Sequence, residues 1–253
     1  MLCRDRRLRS WVLLTVRVDR ELARRLTAEG VGTAFLVAIV VGSGIAAQRL
    51  SPGQTGVQLL INALVTGAGL VALILAFGPV SGGHFNPVVT LADRILGGIS
   101  TAHAVGYVAV QVLGACLGAI VANLMFNLPA VTLSTHSRSS SGVLLGEFVA
   151  TFGLVLVILG VVRSGRSWVA AFAVGGYITA AYWFTSSTSF ANPAVTIGRT
   201  LSNTFAGIAP ASAPGFIALQ LLGGLAAVGL ARFLNPSVPA DAVVVPHEGT
   251  ELN

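Results

Sequence analysis

Long stretches without a charged residue alternate along the chain with short polar breaks. A helix needs about 20 mainly apolar residues to cross roughly 30 Å of hydrocarbon. Six stretches approach or reach that length. The pattern therefore predicts six membrane-spanning helices, at about residues 30–48, 57–78, 104–126, 143–162, 168–184 and 214–233.

Two further apolar pieces are too short to cross a membrane, and each contains an Asn-Pro pair. The first pair is Asn86-Pro87 and the second is Asn192-Pro193. Proline suits the first turn of a helix, where its missing N–H needs no partner. Asparagine is a good N-cap. We therefore expect a short half-helix to begin at each proline.

The two halves of the chain repeat the same signals in the same order. Because each half contains three predicted spans, an odd number, the second half must be inverted relative to the first. The sequence thus predicts an all-α membrane protein with an inverted repeat, over about residues 22–126 and 143–234. The matching segments are 29–33 with 147–151, 86–90 with 192–196, and 111–114 with 220–223.

The composition agrees with this fold class and excludes a soluble one. Hydrophobic residues make up 54% of the 253-residue chain, charged residues only 9%, and the mean hydropathy is +0.83. Soluble domains carry about 25% charged residues. The two cysteines suggest neither a disulfide framework nor a metal site. We found no nucleophile–base set or cofactor motif, so we expect neither an enzyme nor a cofactor.

The basic residues indicate the orientation in the membrane. All 15 are arginines, and 12 of them lie on one side if both termini are there. The positive-inside rule then places both termini in the cytoplasm, and we expect the chain in the plasma (inner) membrane. Because the arginines flank membrane segments, we expect the lipid bilayer and not nucleic acid as the partner.

Outside the predicted membrane domain, two terminal segments remain. Residues 1–21 are rich in arginine and are interpreted either as a helix on the anionic inner leaflet or as a disordered topology signal. Residues 235–253 contain three prolines and are predicted to be a disordered cytoplasmic tail.

The paired half-helices predict the chemistry of the membrane centre. If the side-chain oxygens of Asn86 and Asn192 cap the helices, their amide N–H₂ groups are left to donate to a passing solute. A helix N-terminus carries about half a positive charge. Near an effective dielectric of ~20 and at ~5 Å, each end repels a monovalent cation by about 1.7 kcal/mol. The centre should therefore favour uncharged, hydrogen-bonding solutes.

The residues around both pairs resemble the signature loops of the aquaporin family, also called major intrinsic proteins. The first loop reads Ser-Gly-Gly-His-Phe-Asn-Pro-Val-Val-Thr over residues 81–90, and the second reads Ser-Phe-Ala-Asn-Pro-Ala over residues 189–194. The resemblance extends over about residues 22–234. It implies an hourglass fold, a pore in each subunit of a homotetramer, and passive flow of water or small neutral solutes.

Two residues depart from the family pattern. Val88 replaces the usual alanine and is expected to change the spacing where the half-helices touch. Val195 stands where the family normally has the arginine of the selectivity filter. Counting as in the family, the other filter positions fall at Thr66, Ala180 and Ser189.

None of these four filter side chains is aromatic or charged, so the resemblance implies a filter wider than that of a water-selective member. The expected solutes are then water, glycerol-like polyols and arsenite, which is an uncharged polyol-like acid at neutral pH. Some bacterial aquaporin-like channels that lack this arginine are associated with arsenic resistance. A coupled secondary transporter is the alternative, since such carriers also have inverted repeats and broken helices.

Other polar residues have two interpretations each. Arg199 lies one helical turn beyond Val195 and either places its charge at the outer mouth or extends to the lipid headgroups. Glu29 and Glu147 either brace the backbone of the re-entrant loops or relay protons. His84 either narrows the inner mouth and responds to pH or bonds to the loop backbone.

Two remaining expectations concern packing and anchoring. Asp93 and Arg94 are interpreted as anchors at the membrane interface. The small residues of Gly114-Ala-Cys-Leu-Gly118 are predicted to let two helices pack closely.

Overall fold

A computed structural model describes the backbone of residues 3–234 and the side chains of residues 20–234. The described residues form eight α-helices and no strands. Six are long: α1 (Cys3–Leu50), α2 (Thr55–Ser81), α4 (Thr101–Met125), α5 (Ser141–Arg163), α6 (Ala170–Phe184) and α8 (Ala213–Leu234). Two are short: α3 (Pro87–Leu96) and α7 (Pro193–Arg199). The predicted tail of residues 235–253 lies outside the described residues.

All six predicted spans coincide with long helices. Five of these are long and apolar enough to cross a membrane by themselves. Helix α6 has only 15 residues, about 22 Å at 1.5 Å per residue. A 3₁₀ turn at Ser167–Val169 leads directly into α6 and adds about 6 Å, so together they approach the thickness of the hydrocarbon. Helix α1 begins well before residue 30, and the arginine-rich tract shares its continuous backbone.

Small residues allow the long helices to pack backbone to backbone, as predicted. A Cβ on Gly114 of α4 would overlap the carbonyl oxygen of Gly30 on α1, and one on Gly118 would overlap that of Ala34. The inverted half repeats the arrangement, with Gly223 of α8 against the carbonyl oxygen of Phe148 on α5. Close packing therefore extends through both repeats.

The half-helices begin at the two prolines because asparagine caps each of them. The Oδ1 of Asn86 accepts a hydrogen bond from the Val88 N–H at 2.9 Å. The Oδ1 of Asn192 accepts from the N–H groups of Ala194 at 3.0 Å and Val195 at 3.2 Å. Both helices therefore start inside the protein with their first N–H groups satisfied.

The polar loop between α4 and α5 runs across the end of α7 in an extended conformation. The N–H groups of Thr132 and Ser134 donate to the carbonyls of Leu201 and Thr200 at 3.0 and 2.9 Å, and the His136 carbonyl accepts from Ala209 N–H at 2.8 Å. This loop therefore connects the two repeats and holds the segment that follows α7.

The side chain of Val88 packs against two of the long helices. It is buried among residues of α5 and α8, including Val155 and Val228, and its Cγ1 occupies the place that a Cβ on Gly224 would take. The additional methyl groups therefore pack against a glycine on α8, within a cluster formed with residues of α5 and α8.

We predict that Gly224→Ala destabilises the protein, because its methyl group would overlap Val88, and overpacking typically costs about 1–3 kcal/mol. The double variant Val88→Ala/Gly224→Ala should recover most of the loss. Gly229→Ala is the control on the same helix, since its Cβ would meet open space. Thermal unfolding in detergent measures all three, and equal unfolding temperatures for Gly224→Ala and Gly229→Ala would contradict the prediction.

Candidate functional site

The first re-entrant loop is held by the carboxylate of Glu29, which is fully buried. Its Oε1 accepts hydrogen bonds from Ser81 Oγ at 2.7 Å and His84 N–H at 2.9 Å. Its Oε2 accepts from Phe85 N–H at 2.7 Å and Gln111 Nε2 at 2.8 Å. Because non-helical backbone inside a membrane needs internal partners, this carboxylate stabilises the loop.

Glu147 holds the second loop in the same way and is also fully buried. Its Oε1 accepts from Phe190 N–H at 2.9 Å, and its Oε2 accepts from Ala191 N–H at 3.0 Å and Gln220 Nε2 at 2.5 Å. Neither glutamate is among the residues that line the central cavity described below. This geometry favours the bracing interpretation over a proton relay.

The residue before each asparagine has a left-handed backbone. The φ angle is 48° at Phe85 and 47° at Ala191, a conformation that costs a non-glycine residue about 1–2 kcal/mol. In each loop, a hydrogen bond to the buried glutamate fixes the N–H of this residue. Its carbonyl points toward the opposite loop. The Nδ2 of Asn192 donates to the Phe85 carbonyl at 2.7 Å, and the Nδ2 of Asn86 donates to the Ala191 carbonyl at 2.8 Å.

These two bonds join the inverted repeats at their centre. An amide N–H₂ has two hydrogens, so each cross-link uses one of them and leaves one. The expectation that Asn86 and Asn192 present free N–H₂ groups is therefore corrected to one N–H each. Both side chains line the same cavity.

That cavity lies between the two loops and occupies about 730 Å³, its open ends included. Its polar wall is formed by the loops and the two asparagines. Its apolar lining comes from α1, α2, α5 and α6 and includes Leu36, Val40, Leu70, Ile74, Leu154 and Val174. A cavity with both hydrogen-bonding and apolar lining suits solutes that carry both kinds of surface.

Three of the four predicted filter residues line this cavity, and one does not. Thr66, Ser189 and Val195 are on the wall, whereas Ala180 is exposed on the outside of α6. The prediction for Ala180 is wrong because α6 presents Ile178 and Tyr182 to the cavity. Those two residues are four apart and share a helix face, and Ala180, two residues from each, points away.

Tyr182 is the aromatic residue that the sequence-derived set missed. Its hydroxyl lies 3.2 Å from Thr66 Oγ1, so the two side chains are linked beside the cavity. The spacing of Val174, Ile178 and Tyr182 along α6 gives the helical period that would have identified this face.

Arg199 is buried and lines the same cavity as Val195. Its Nε donates to the Ala206 carbonyl, and its guanidinium carbon lies 3.3 Å from the centre of the Phe190 ring. With only 2% of its surface exposed, it does not extend to lipid headgroups, and that interpretation is wrong. The cavity wall therefore carries a charge as well as an aromatic ring.

A second arginine approaches the same ring from the loop between α4 and α5. The guanidinium carbon of Arg138 lies 5.2 Å from the Phe190 centroid, and its side chain donates to the carbonyls of Gly207 at 3.1 Å and Ser187 at 3.4 Å. Burial lowers the pKa of Arg138, while Glu147 and Tyr182 act in the opposite direction. Cation–π contacts of this kind help to fix both arginines.

His84 lies at the other end of the cavity and bonds to side chains of α3. Its Nδ1 is 3.0 Å from Thr90 Oγ1, and its Nε2 is 3.4 Å from Asp93 Oδ2. Its ring also meets Tyr107 edge to face, with centroids 5.3 Å apart. The ring therefore does not bond to the loop backbone, and Asp93, which is buried, is not an interfacial anchor.

Ser189 supplies a further polar group. Its Oγ is buried and has no hydrogen-bond partner among the residues that the structure describes, and the residue lines the cavity. Buried hydroxyls are normally paired, so this one is available to a solute.

Comparison with known proteins identifies the family. The family model for "Major intrinsic protein" matches residues 17–186. The chain belongs to the major intrinsic protein, or aquaporin, family. Its fold resembles that of the aquaglyceroporin from Plasmodium falciparum with a TM-score of 0.67 at 20% identity, over 85% of this chain and 98% of that one.

Two curated relatives place the chain more closely within the family. Aquaglyceroporin AqpS of Rhizobium meliloti is 48% identical over 214 residues, which cover 85% of this chain and 91% of the relative. Aquaporin NIP3-1 of Arabidopsis thaliana is 32% identical over 204 residues, which cover 73% of this chain and 60% of the relative.

Family membership settles the broad function. The protein is an integral membrane protein and a passive channel for small solutes, since members of this family are channels and not enzymes. The predicted fold class is confirmed, and the channel interpretation replaces the coupled transporter.

We predict that Glu147→Gln lowers stability, because the amide keeps one acceptor oxygen and turns its N–H₂ toward loop donors. A buried donor without a partner costs about 1–3 kcal/mol. Glu21→Gln is the matched control, because Glu21 is exposed and forms surface ion pairs with Arg24 and Arg25 of α1. Thermal unfolding in detergent provides the measurement, and similar losses in the two variants would show that Glu147 does not brace the loop.

Proposed function

We propose that this channel passes small uncharged solutes, namely water, glycerol-like polyols and arsenite, and excludes cations by means of Arg199. The observation that carries the proposal is the buried Arg199 guanidinium on the wall of the central cavity. The name of the relative AqpS, an aquaglyceroporin, supports the choice of polyols.

The charge of Arg199 compensates for Val195. Because Val195 is uncharged, it does not repel cations. Without another charge on the cavity wall, only the N-termini of the two half-helices would do so. Arg199, one turn further along α7, returns a full positive charge to the same cavity. At an effective dielectric of ~20 and a distance of ~5 Å, such a charge repels a monovalent cation by about 3 kcal/mol. The half-helix N-termini add a repulsion of similar size.

The polar wall suits neutral hydroxylated solutes. Ser189 offers a hydroxyl without a hydrogen-bond partner among the described residues. The hydroxyl groups of Thr66 and Tyr182 are hydrogen-bonded to each other. Asn86 and Asn192 each keep one N–H for a solute. Glycerol and arsenite both carry hydroxyl groups that donate and accept hydrogen bonds without bearing a charge. Their less polar parts can contact the apolar lining of the cavity.

We further propose a homotetramer in the plasma (inner) membrane with both termini in the cytoplasm. The excess of arginines on the side of the termini supports this orientation. Large apolar side chains on the outer faces of the helices, such as Leu64, Leu113 and Phe172, are exposed in the single chain. They suit contact with lipid or with neighbouring subunits.

Purified protein in liposomes should admit glycerol and arsenite faster than empty liposomes do, in addition to any flow of water. The expectation follows from the hydroxyl groups of Thr66, Tyr182 and Ser189 on the cavity lining. Stopped-flow swelling measures glycerol and water, and arsenic analysis of washed vesicles measures arsenite. A profile restricted to water would contradict the proposed solute class.

Removing the Arg199 charge should let cations through. We expect Arg199→Ala to raise sodium leak at least tenfold over wild type, because about 3 kcal/mol of repulsion is lost. Arg199→Lys should largely retain exclusion, and Arg166→Ala, an exposed arginine, serves as the control. Planar-bilayer conductance is the readout, and an Arg199→Ala leak no greater than that of Arg166→Ala would refute the role of Arg199.

A further inference from the structure

A second cavity lies on the surface of the helix bundle and is separate from the central cavity. It occupies about 480 Å³, open space included, and lies between α3, α5 and α8. It shares no lining residue with the central cavity. Its apolar wall consists of Leu96, Leu156, Leu159, Gly160, Ala231 and Leu234, and we call it the α3/α5/α8 groove.

Two arginines lie at the rim of this groove. Arg163 is in the last turn of α5 and Arg232 in the last turn of α8, and both are exposed. The Nη2 of Arg232 donates to the Ile95 carbonyl at 2.8 Å, which holds its side chain beside α3. Among the described residues, which end at Leu234, none of those that line the groove is acidic, and the charges at its rim are those of the two arginines.

The groove therefore combines an apolar wall with two arginines at its rim, at the C-terminal ends of α5 and α8. Trp168 and Phe233, with 71% and 81% of their surfaces exposed, lie near the same ends of α5 and α8. Exposed aromatic residues are typical of the interface between membrane and water. The floor is open at Gly160, where a Cβ would meet no atom within 4 Å.

We propose that the α3/α5/α8 groove binds one anionic phospholipid, with its phosphate between Arg163 and Arg232 and an acyl chain along the apolar wall. Charge complementarity carries the assignment, because basic pockets between membrane helices bind anionic headgroups. A zwitterionic lipid could fill the apolar wall but gains less from the two arginines. The proposal does not depend on which solute the channel passes.

Native mass spectrometry of the full-length protein in detergent tests the proposal with phosphatidylglycerol and phosphatidylcholine of equal chain length. Wild type should retain phosphatidylglycerol preferentially. Arg163→Gln/Arg232→Gln should weaken phosphatidylglycerol binding about tenfold or more, since each interfacial arginine contributes to the attraction. The control Arg94→Gln/Arg166→Gln removes two exposed arginines outside the groove and should keep the preference.

A second variant tests the groove without changing the charge. Gly160→Phe should fill the open floor and displace bound phosphatidylglycerol, whereas Gly176→Phe, which also faces open space but lies on α6, should not. Three results would overturn the proposal: no preference for the anionic lipid in wild type, equal losses in both arginine double variants, or a change of oligomeric mass in place of lost lipid. The last would identify the groove as a contact between copies of the chain.

Discussion

The structure depends on satisfying loop backbone inside a membrane, where water cannot do so. Each unpaired N–H or carbonyl there costs several kcal/mol. The carboxylates of Glu29 and Glu147 accept the N–H groups of the two loops. They thereby hold Phe85 and Ala191 in left-handed conformations, which direct their carbonyls to the asparagines of the opposite repeat. Without the carboxylates, neither half-helix would be fixed at the centre.

The hydrogen bonds that hold the two loops are repeated in both halves of the chain, but the side chains that line the cavity are not. Gln111 and Gln220 repeat the same bridge, each from a buried glutamate to a threonine of the neighbouring half-helix. The two ends of the cavity differ: His84 beside Asp93 lies at one end, and Arg199 beside Phe190 lies at the other. The repeated interactions hold the fold, whereas the unrepeated side chains make the two ends of the cavity chemically different.

The helices and the glutamates that brace the loops can be predicted from the sequence because their signals are local. Charge-free stretches, Asn-Pro pairs and matched glutamates predict spans, half-helices and bracing residues directly. A role that depends on which way a helix faces is not predictable in this way: the family pattern points to Ala180, although the buried face of α6 carries Tyr182. The burial of Arg199 and Asp93 could not be predicted either, because their partners Phe190, Ala206 and His84 come from other segments.

The most direct test of the solute path is thiol accessibility in a chain whose own cysteines, Cys3 and Cys116, are replaced by serine. A single cysteine is introduced at position 195 or at position 180, and glycerol flux into liposomes is measured before and after treatment with a methanethiosulfonate reagent. Reagent should block flux through Val195→Cys, which lines the cavity, and leave Ala180→Cys unaffected, since Ala180 is on the outer surface. Block through Ala180→Cys with none through Val195→Cys would contradict the account.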